Sequence, residues 1–350
     1  MSVALEAHFH SHHFAGFARR TETPMTSRIL RSLLAVAVVA LGALAPAAQA
    51  DRTYPYKPVR VVVGFGAGSG TDILARIVAE ELAQALKQPF VVDNRPGASA
   101  MLAATAVTQA APDGYTLFFS PSSPMVVNPH VFKTLPYNPL KDFIAIGGVG
   151  VYPWILAVDA NLPVRTPKDL VNYALANKGK VNYAYGTQAV RVPAEALNRL
   201  LKLEATGIPY KSSPDAMIDV IGGRVQFLVV DLAAAQVHLQ SGKLRALAVT
   251  MSKRTGLAPD LPTVEETLGL RDFDLSAFAG LFGPANMPKS IVDKLSTTML
   301  GAINRPDVRK RIIAAGAEVV PLDPAATTAM VARSHAIWGK KVADAGILPE

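Results

Sequence analysis

The sequence predicts an α/β protein of two lobes, each a mainly parallel sheet flanked by helices, with a ligand in the cleft between them. Three observations predict it. Short β-branched runs alternate with longer segments of helical period, the order expected of parallel sheets with helices on their faces. The chain has 350 residues, and at roughly 100 to 200 residues per domain that length suits two. It is 50% hydrophobic and 18% charged, enough to bury a core in each lobe.

Taken in order, Val59-Arg60-Val61-Val62-Val63 reads as a buried strand, followed by the glycine-rich turn Gly64 to Gly70. Thr71 and Asp72 open a helix to about Lys87, with Ile73, Leu74, Ile77, Val78, Leu82 and Leu86 at helical spacing. Phe90 to Val92 is the next strand, then a helix over Ala98 to Ala111 and a strand over Tyr115 to Ser120. Proline and asparagine mark Pro121 to Pro139 as a long loop. Phe143 to Val149 leads into a second unit. Its strands fall near Ile155 to Val158, Val181 to Tyr185, Val225 to Val230 and Leu244 to Thr250, and its helices near Pro167 to Asn177, Pro193 to Leu201 and Pro214 to Ile221. Phe278 to Phe282 is another strand, and Pro288 to Asn304, Pro306 to Gly316 and Pro324 to Ala345 are helical. A second unit inserted between two parts of the first accounts for this order. The expected boundaries are 51–150 plus 276–350 for the first lobe and 151–275 for the second. Open parallel sheets bind at the carboxyl ends of their strands, which places the ligand in the cleft.

The N-terminus bears on the compartment. Arg28 and Arg31 precede the apolar run Leu33 to Ala45, and Ala48-Gln49-Ala50 fits the small-x-small cleavage rule. A basic start, an apolar stretch too short to span a bilayer and this site read as a secretory signal peptide cleaved after Ala50. Met1 to Pro24, rich in histidine, does not fit that pattern, so the expected start is Met25 and 1–50 is extension plus signal. The expected localisation is the periplasm.

Composition narrows the chemistry. Cysteine is absent, which excludes a disulfide scaffold, a thiolate zinc site and a cysteine nucleophile. The net charge of +8 suggests anionic partners, but the charges are scattered and no clustered nucleic-acid footprint is visible. Beyond residue 50 the histidines are His130, His238 and His335, none in an HExxH pattern, and no Gly-x-Ser-x-Gly elbow exists. No catalytic residue, metal site or cofactor is expected. The best-formed local site is Gly64 to Asp72, between a strand and a helix, where backbone can approach a ligand and first-turn N–H groups favour an anion. Asp93 follows the next strand at about the spacing of a ribose ligand, which invites a dinucleotide reading. That fingerprint fails at its third glycine, where Ser69 stands, and no Lys-Ser/Thr follows the loop. Asp72 is read as the helix cap.

Several segments carry a family likeness: Tyr54-Pro55-Tyr56-Lys57-Pro58-Val59-Arg60, Phe65-x-x-Gly68-x-x-Thr71-Asp72, Asn94-Arg95-Pro96-Gly97-Ala98 and Ala111-Pro112-Asp113-Gly114-Tyr115-Thr116-Leu117. Leu135-Pro136-Tyr137 with Lys141-Asp142-Phe143, Pro209-Tyr210-Lys211, Gly242 to Thr250, Leu261 to Val264 and Pro306 to Arg309 continue it. Together, in this order, they resemble the tripartite tricarboxylate transporter receptors, the TctC or Bug family of periplasmic binding proteins, over essentially all of 54–350. The resemblance implies the two-lobed fold of a type II periplasmic binding protein that closes on a small organic acid and delivers it to a membrane transporter. It implies a carboxylate gripped through the first glycine loop at Ala67, Gly68, Ser69 and Thr71, with Ser122 and Ser123 in a further pocket loop. Hydroxyls and amides suit a carboxylate because it accepts several hydrogen bonds at once.

The chain departs from the family pattern at informative places. Ser99 and Ala100 stand where two glycines are usual. The second-lobe pocket loop, Tyr185 to Glu195, is about two residues short and carries Thr187, Gln188 and, in the usual histidine position, Arg191. Val230-Asp231-Leu232 replaces a Phe-Asp-Asn stretch. Thr187, Gln188, Arg191, Ser99 and Asp231 complete the expected ligand contacts. Arg191 either turns into the cleft to bind a distal carboxylate bidentately or points outward from the shortened loop. The expected partners are a small carboxylate and membrane transporter subunits, without nucleic acid and with the chain a monomer. The rivals are a secreted hydrolase or dinucleotide-dependent enzyme using the same cleft, and a carboxylate sensor feeding a signalling partner.

Overall fold

The computed structural model describes residues 53–350 except Asp272. The signal peptide and its cleavage site lie outside the described residues. Among those described, no helix is long and apolar enough to cross a membrane.

The first part of the chain builds one side of a six-stranded sheet. Strand β1 (Val59–Val63) is almost wholly buried, as a valine run covered on both faces must be. Helix α1 (Gly70–Leu86) follows the glycine loop, capped by the Ser69 hydroxyl and stopped at Lys87 in the left-handed region (φ 56). Then come β2 (Phe90–Asn94), α2 (Met101–Thr108), β3 (Thr116–Pro121), the short α3 (Asn128–Val131) and the long β4 (Phe143–Tyr152). The helix expected over Ala98 to Ala111 is shorter because 98–100 form a left-handed turn. The expected loop 121–139 contains a π-helical turn, Ser123–Val127, as well as α3.

Pro153 carries the chain into a second, five-stranded sheet. Its elements are β5 (Trp154–Asp159), α4 (Pro167–Ala176), β6 (Asn182–Tyr185), α5 (Gln188–Leu200), β7 (Thr206–Pro209), α6 (Ser213–Ile221), β8 (Phe227–Asp231), α7 (Leu232–Gln240) and β9 (Leu244–Val249), with α8 (Val264–Leu268) after it. The chain returns along β10 (Ala277–Pro284), then α9 (Lys289–Ile303), α10 (Pro306–Ala314), β11 (Glu318–Leu322) and α11 (Pro324–Asp344). Prolines at the first helical position open α4, α10 and α11, where a missing N–H costs nothing. Helix α5 starts earlier than Pro193, at Gln188, because the Thr187 hydroxyl caps it, and Pro193 sits inside the helix.

Strand order is β11-β4-β10-β3-β1-β2 in the first sheet and β7-β6-β8-β5-β9 in the second. Both sheets combine parallel and antiparallel pairings, with most strands of each running the same way. β1, β2 and β3 are mutually parallel, as are β6, β7 and β8, but β10 runs antiparallel to β3 and β4, and β5 antiparallel to β8 and β9. The reason is topological. One strand leaves the first sheet (β4) and another enters it (β10), so two neighbouring crossings must point in opposite directions. β5 and β9 repeat this in the second sheet. The carboxyl ends of β1, β2 and β3 therefore carry loops on one edge of the first sheet, and those of β6 and β8 carry loops on one edge of the second.

Candidate functional site

The glycine loop is built around one buried carboxylate. Asp72, 2% exposed, accepts from the Gly68 N–H (2.8 Å), the Arg76 Nε (3.0 Å) and the Asn94 Nδ2 (2.8 Å), and Asn94 also donates to the Phe65 carbonyl (2.9 Å). Burial alone would raise the Asp72 pKa, but these three donors outweigh it and hold it below 3.8. The helix cap is instead Ser69, whose hydroxyl accepts from the Asp72 N–H, so Asp72 organises the loop and does not cap the helix. The Gly68 amide is committed to Asp72. The amides of Ala67, Gly70 and Thr71 have no acceptor among the described residues, and Ala67 is exposed. Three donors at a helix N-terminus present a site for an anion.

A second loop presses on this one. Ala98, Ser99 and Ala100 have φ of 46, 52 and 70°, three successive left-handed residues. Gly64 makes this approach possible: a Cβ there would overlap the Ala100 Cβ. The turn is tied to the third loop by Asn128, fully buried, whose Nδ2 donates to the Ser99 carbonyl (3.0 Å). The Tyr137 hydroxyl, which also meets that amide, donates to the Pro124 carbonyl (2.8 Å). Ser122 and Ser123 are buried in the third loop, and the Ser122 Oγ accepts from the Phe278 N–H (2.8 Å), joining the loop to β10.

The second lobe contributes from two strand ends. At the end of β6, Thr187 caps α5 by accepting from the Val190 N–H (3.4 Å). The Gln188 side-chain amide donates to Glu350 (2.7 Å), and the Arg191 Nη1 donates to Gln188 (3.2 Å) and lies 3.9 Å from the Glu350 carboxylate. The Arg191 guanidinium also sits 5.4 Å above the Tyr185 ring, with its Nε buried and unpartnered. It borders a side cavity of about 360 Å³ lined by Tyr183, Tyr185, Glu195, Gly207 and the segment 346–348. At the end of β8, Asp231 accepts from the Trp154 Nε1 (2.9 Å). Burial raises the Asp231 pKa against the lowering effect of that bond.

Sequence reasoning passed over the connector. Tyr152, at the end of β4, donates to the Gly70 carbonyl (3.1 Å) and interacts with Thr71 in the first lobe, and it feels the charge of Asp231 in the second. Trp154, two residues on, holds Asp231 and packs edge-on against Trp338 at 6.0 Å. Thus Ala67, Ser69, Thr71, Ser99, Ser122 and Ser123 lie on three loops, of which the 98–100 turn meets both others, and Thr187 and Asp231 lie at the carboxyl ends of β6 and β8. Gln188 and Arg191 are turned toward Glu350. Buried aromatics flanking a one-residue connector leave no periodic signal of their own, so nothing in the sequence singled out Tyr152 and Trp154.

Comparison with known proteins agrees with this architecture. Residues 74–347 match the profile of the tripartite tricarboxylate transporter family receptor. The chain is 35% identical over 322 residues to a UPF0065 protein of Bordetella bronchiseptica, covering 92% of this chain and 95% of that one. Among solved structures, an R. palustris protein with adipate superposes with a TM-score of 0.82 at 31% identity, covering 85% of this chain and all of that one. The periplasmic binding protein BugD gives 0.79 at 31% identity, covering 85% of this chain and 100% of that chain. MatC from Rhodopseudomonas palustris with bound malate gives 0.77 at 32%, covering 83% and 100%. The chain belongs to the tripartite tricarboxylate transporter receptor family.

Proposed function

We propose that this chain captures a small organic carboxylate between its two lobes in the periplasm and delivers it to a tripartite membrane transporter, without catalysing a reaction. The lobes are 51–150 with 276–350 and 151–275, released by cleavage after Ala50. The observation that carries this reading is the set of free amides at Ala67, Gly70 and Thr71, held in place by the buried Asp72 and backed by the strained turn 98–100. A carboxylate placed there gains several charge-assisted hydrogen bonds without reorganising the protein. Ser69, Ser99, Ser122 and Ser123 line the same corner, and Thr187 and Asp231 approach from the other lobe. Relatives with adipate and with malate support a dicarboxylate in particular. Ligand bound to both lobes stabilises the closed form, which a transporter can distinguish from the open one.

The test is a thermal melt of residues 51–350 against di- and tricarboxylates, aromatic acids, amino acids and NAD. A ligand at about 100 times its Kd stabilises the fold by about 2.7 kcal/mol, a midpoint shift of several degrees. A shift with one carboxylate class and none with NAD is the expected result. A shift with NAD alone, or turnover of the bound acid, overturns the proposal.

A further inference from the structure

The last five residues touch both lobes. Helix α11 ends at Asp344, and Gly346, with φ 67, turns the chain out of it. The Gly346 and Ile347 amides close the helix on the Ala343 and Val342 carbonyls at 2.9 and 3.2 Å, and Ile347 is buried. Arg199 of α5 lies against the backbone here, since a Cβ on Gly346 would overlap its Nη1. The segment then follows α5 back to its first turn. There the Glu350 N–H donates to the Val131 carbonyl and its own carbonyl accepts from the Lys133 N–H, both at 3.0 Å. These partners lie between β3 and β4, in the first lobe. The Glu350 side chain faces the other way, accepting from the Gln188 amide at 2.7 Å and lying 3.9 Å from the Arg191 Nη1 in the second lobe.

We infer that residues 346–350 form an interlobe clasp, in which Glu350 holds the 131–133 segment of the first lobe to the opening turn of α5 in the second. The two ends of the clasp differ in strength. On the first lobe Glu350 is fixed by its paired backbone hydrogen bonds to Val131 and Lys133. On the second, where 346–348 already lie beside Arg199 and the Tyr183–Glu195 cavity, the Glu350 side chain adds two contacts through a carboxylate that is 57% exposed, and exposed contacts of this kind are individually weak. A contact that breaks readily biases the opening of the cleft without locking it, which is what a receptor that must release its cargo requires. The clasp also gives Gln188 and Arg191 a role other than ligand contact: they hold a carboxylate that the chain itself supplies. This rests on the two-lobed architecture and is independent of which solute binds.

The cleft can be watched directly because the chain has no native cysteine. Arg95 and Lys211 follow β2 and β7, the edge strands farthest from the β4–β5 crossing, so their separation reports opening. Spin labels on Arg95→Cys and Lys211→Cys give a distance distribution for the ligand-free chain by pulsed dipolar spectroscopy. A short-distance population is expected in the parent. Glu350→Ala is expected to shift the open-to-short ratio toward open by about fivefold, the effect of one net hydrogen bond. A chain ending at Leu348 is expected to shift it further, with the thermal midpoint of both variants within about 2 °C of the parent. A ligand-free parent that is wholly open overturns the inference, as do distributions in both variants that superpose on the parent's. The outcome is read without ligand, so it stands apart from the solute panel.

Discussion

Three consecutive left-handed residues without a glycine among them store strain, and relieving it at one of them should raise stability. In the left-handed region a Cβ costs about 1 to 2 kcal/mol per residue. Replacing alanine with glycine removes that cost but adds about 0.5 to 1 kcal/mol of unfolded-chain entropy. Ala98, with φ 46, is exposed, so its methyl contributes little packing. Ala98→Gly is therefore expected to stabilise the protein by about 0.5 to 1 kcal/mol. Ala100, with φ 70, is 1% exposed and packs against Gly64. Losing its buried methyl costs about 0.8 kcal/mol, which cancels the gain, so Ala100→Gly should be close to neutral. Urea unfolding at 25 °C, with the slope unchanged between variants, measures both. The reasoning is refuted if Ala98→Gly lowers stability, or if the two substitutions shift the midpoint by the same amount.

Gly64→Ala drives a Cβ into the Ala100 Cβ and to 2.9 Å from the Ala100 backbone, and should cost about 2 to 3 kcal/mol in the same urea assay. Adding Ala100→Gly should restore part of that loss, because the crowding against the backbone of residue 100 remains. Asp72→Asn should cost about 2 to 3 kcal/mol at neutral pH by replacing a charged acceptor of three donors. The folded pKa of Asp72 lies below 3.8, so its contribution is present above that pH and lost as pH falls through the folded value. The gap between variant and parent should accordingly close in acid, and a constant gap from pH 7 to 3 would contradict this. His335 has its pKa lowered from 6.5, first by burial and then by the neighbouring His130, whose ring lies 4.5 Å away. Neutral His335 stabilises the fold above pH 6.5, and that stability is lost as pH falls through the lower folded value. His335→Phe, which keeps the ring, should flatten the fall of the thermal midpoint below about pH 6.5.

The two-lobed class and most elements follow from local pattern, because each is written in residues close along the chain. The valine run of β1, the stripe of α1 and the prolines opening α4, α10 and α11 need no distant partner to be read. What went unread was short, or made by contact. β7 and β11 sit at the edges of their sheets, and Thr206-Gly207-Ile208-Pro209 carries too few apolar residues to announce a strand. Helix α7, Leu232–Gln240, is alanine-rich without a clear apolar face. Pro193 suggested a helix start, but the Thr187 cap, three residues from the N–H it accepts, decided the boundary.

The candidate site divides the same way. The glycine loop and its helix were legible because strand, turn and cap are consecutive. That Asp72 takes the Gly68 amide, that 98–100 turn left-handed against Gly64, and that Tyr152 joins Gly70 to the neighbourhood of Asp231 all depend on strands brought side by side. Arg191 shows the limit most clearly. From sequence its side chain has two equally available directions. Glu350, 159 positions away, selects one by presenting a carboxylate beside Gln188. Local sequence determines which elements form, since propensity and capping act over a few residues. The direction of a long charged side chain depends on which opposite charge the fold brings within reach, and only tertiary structure decides that.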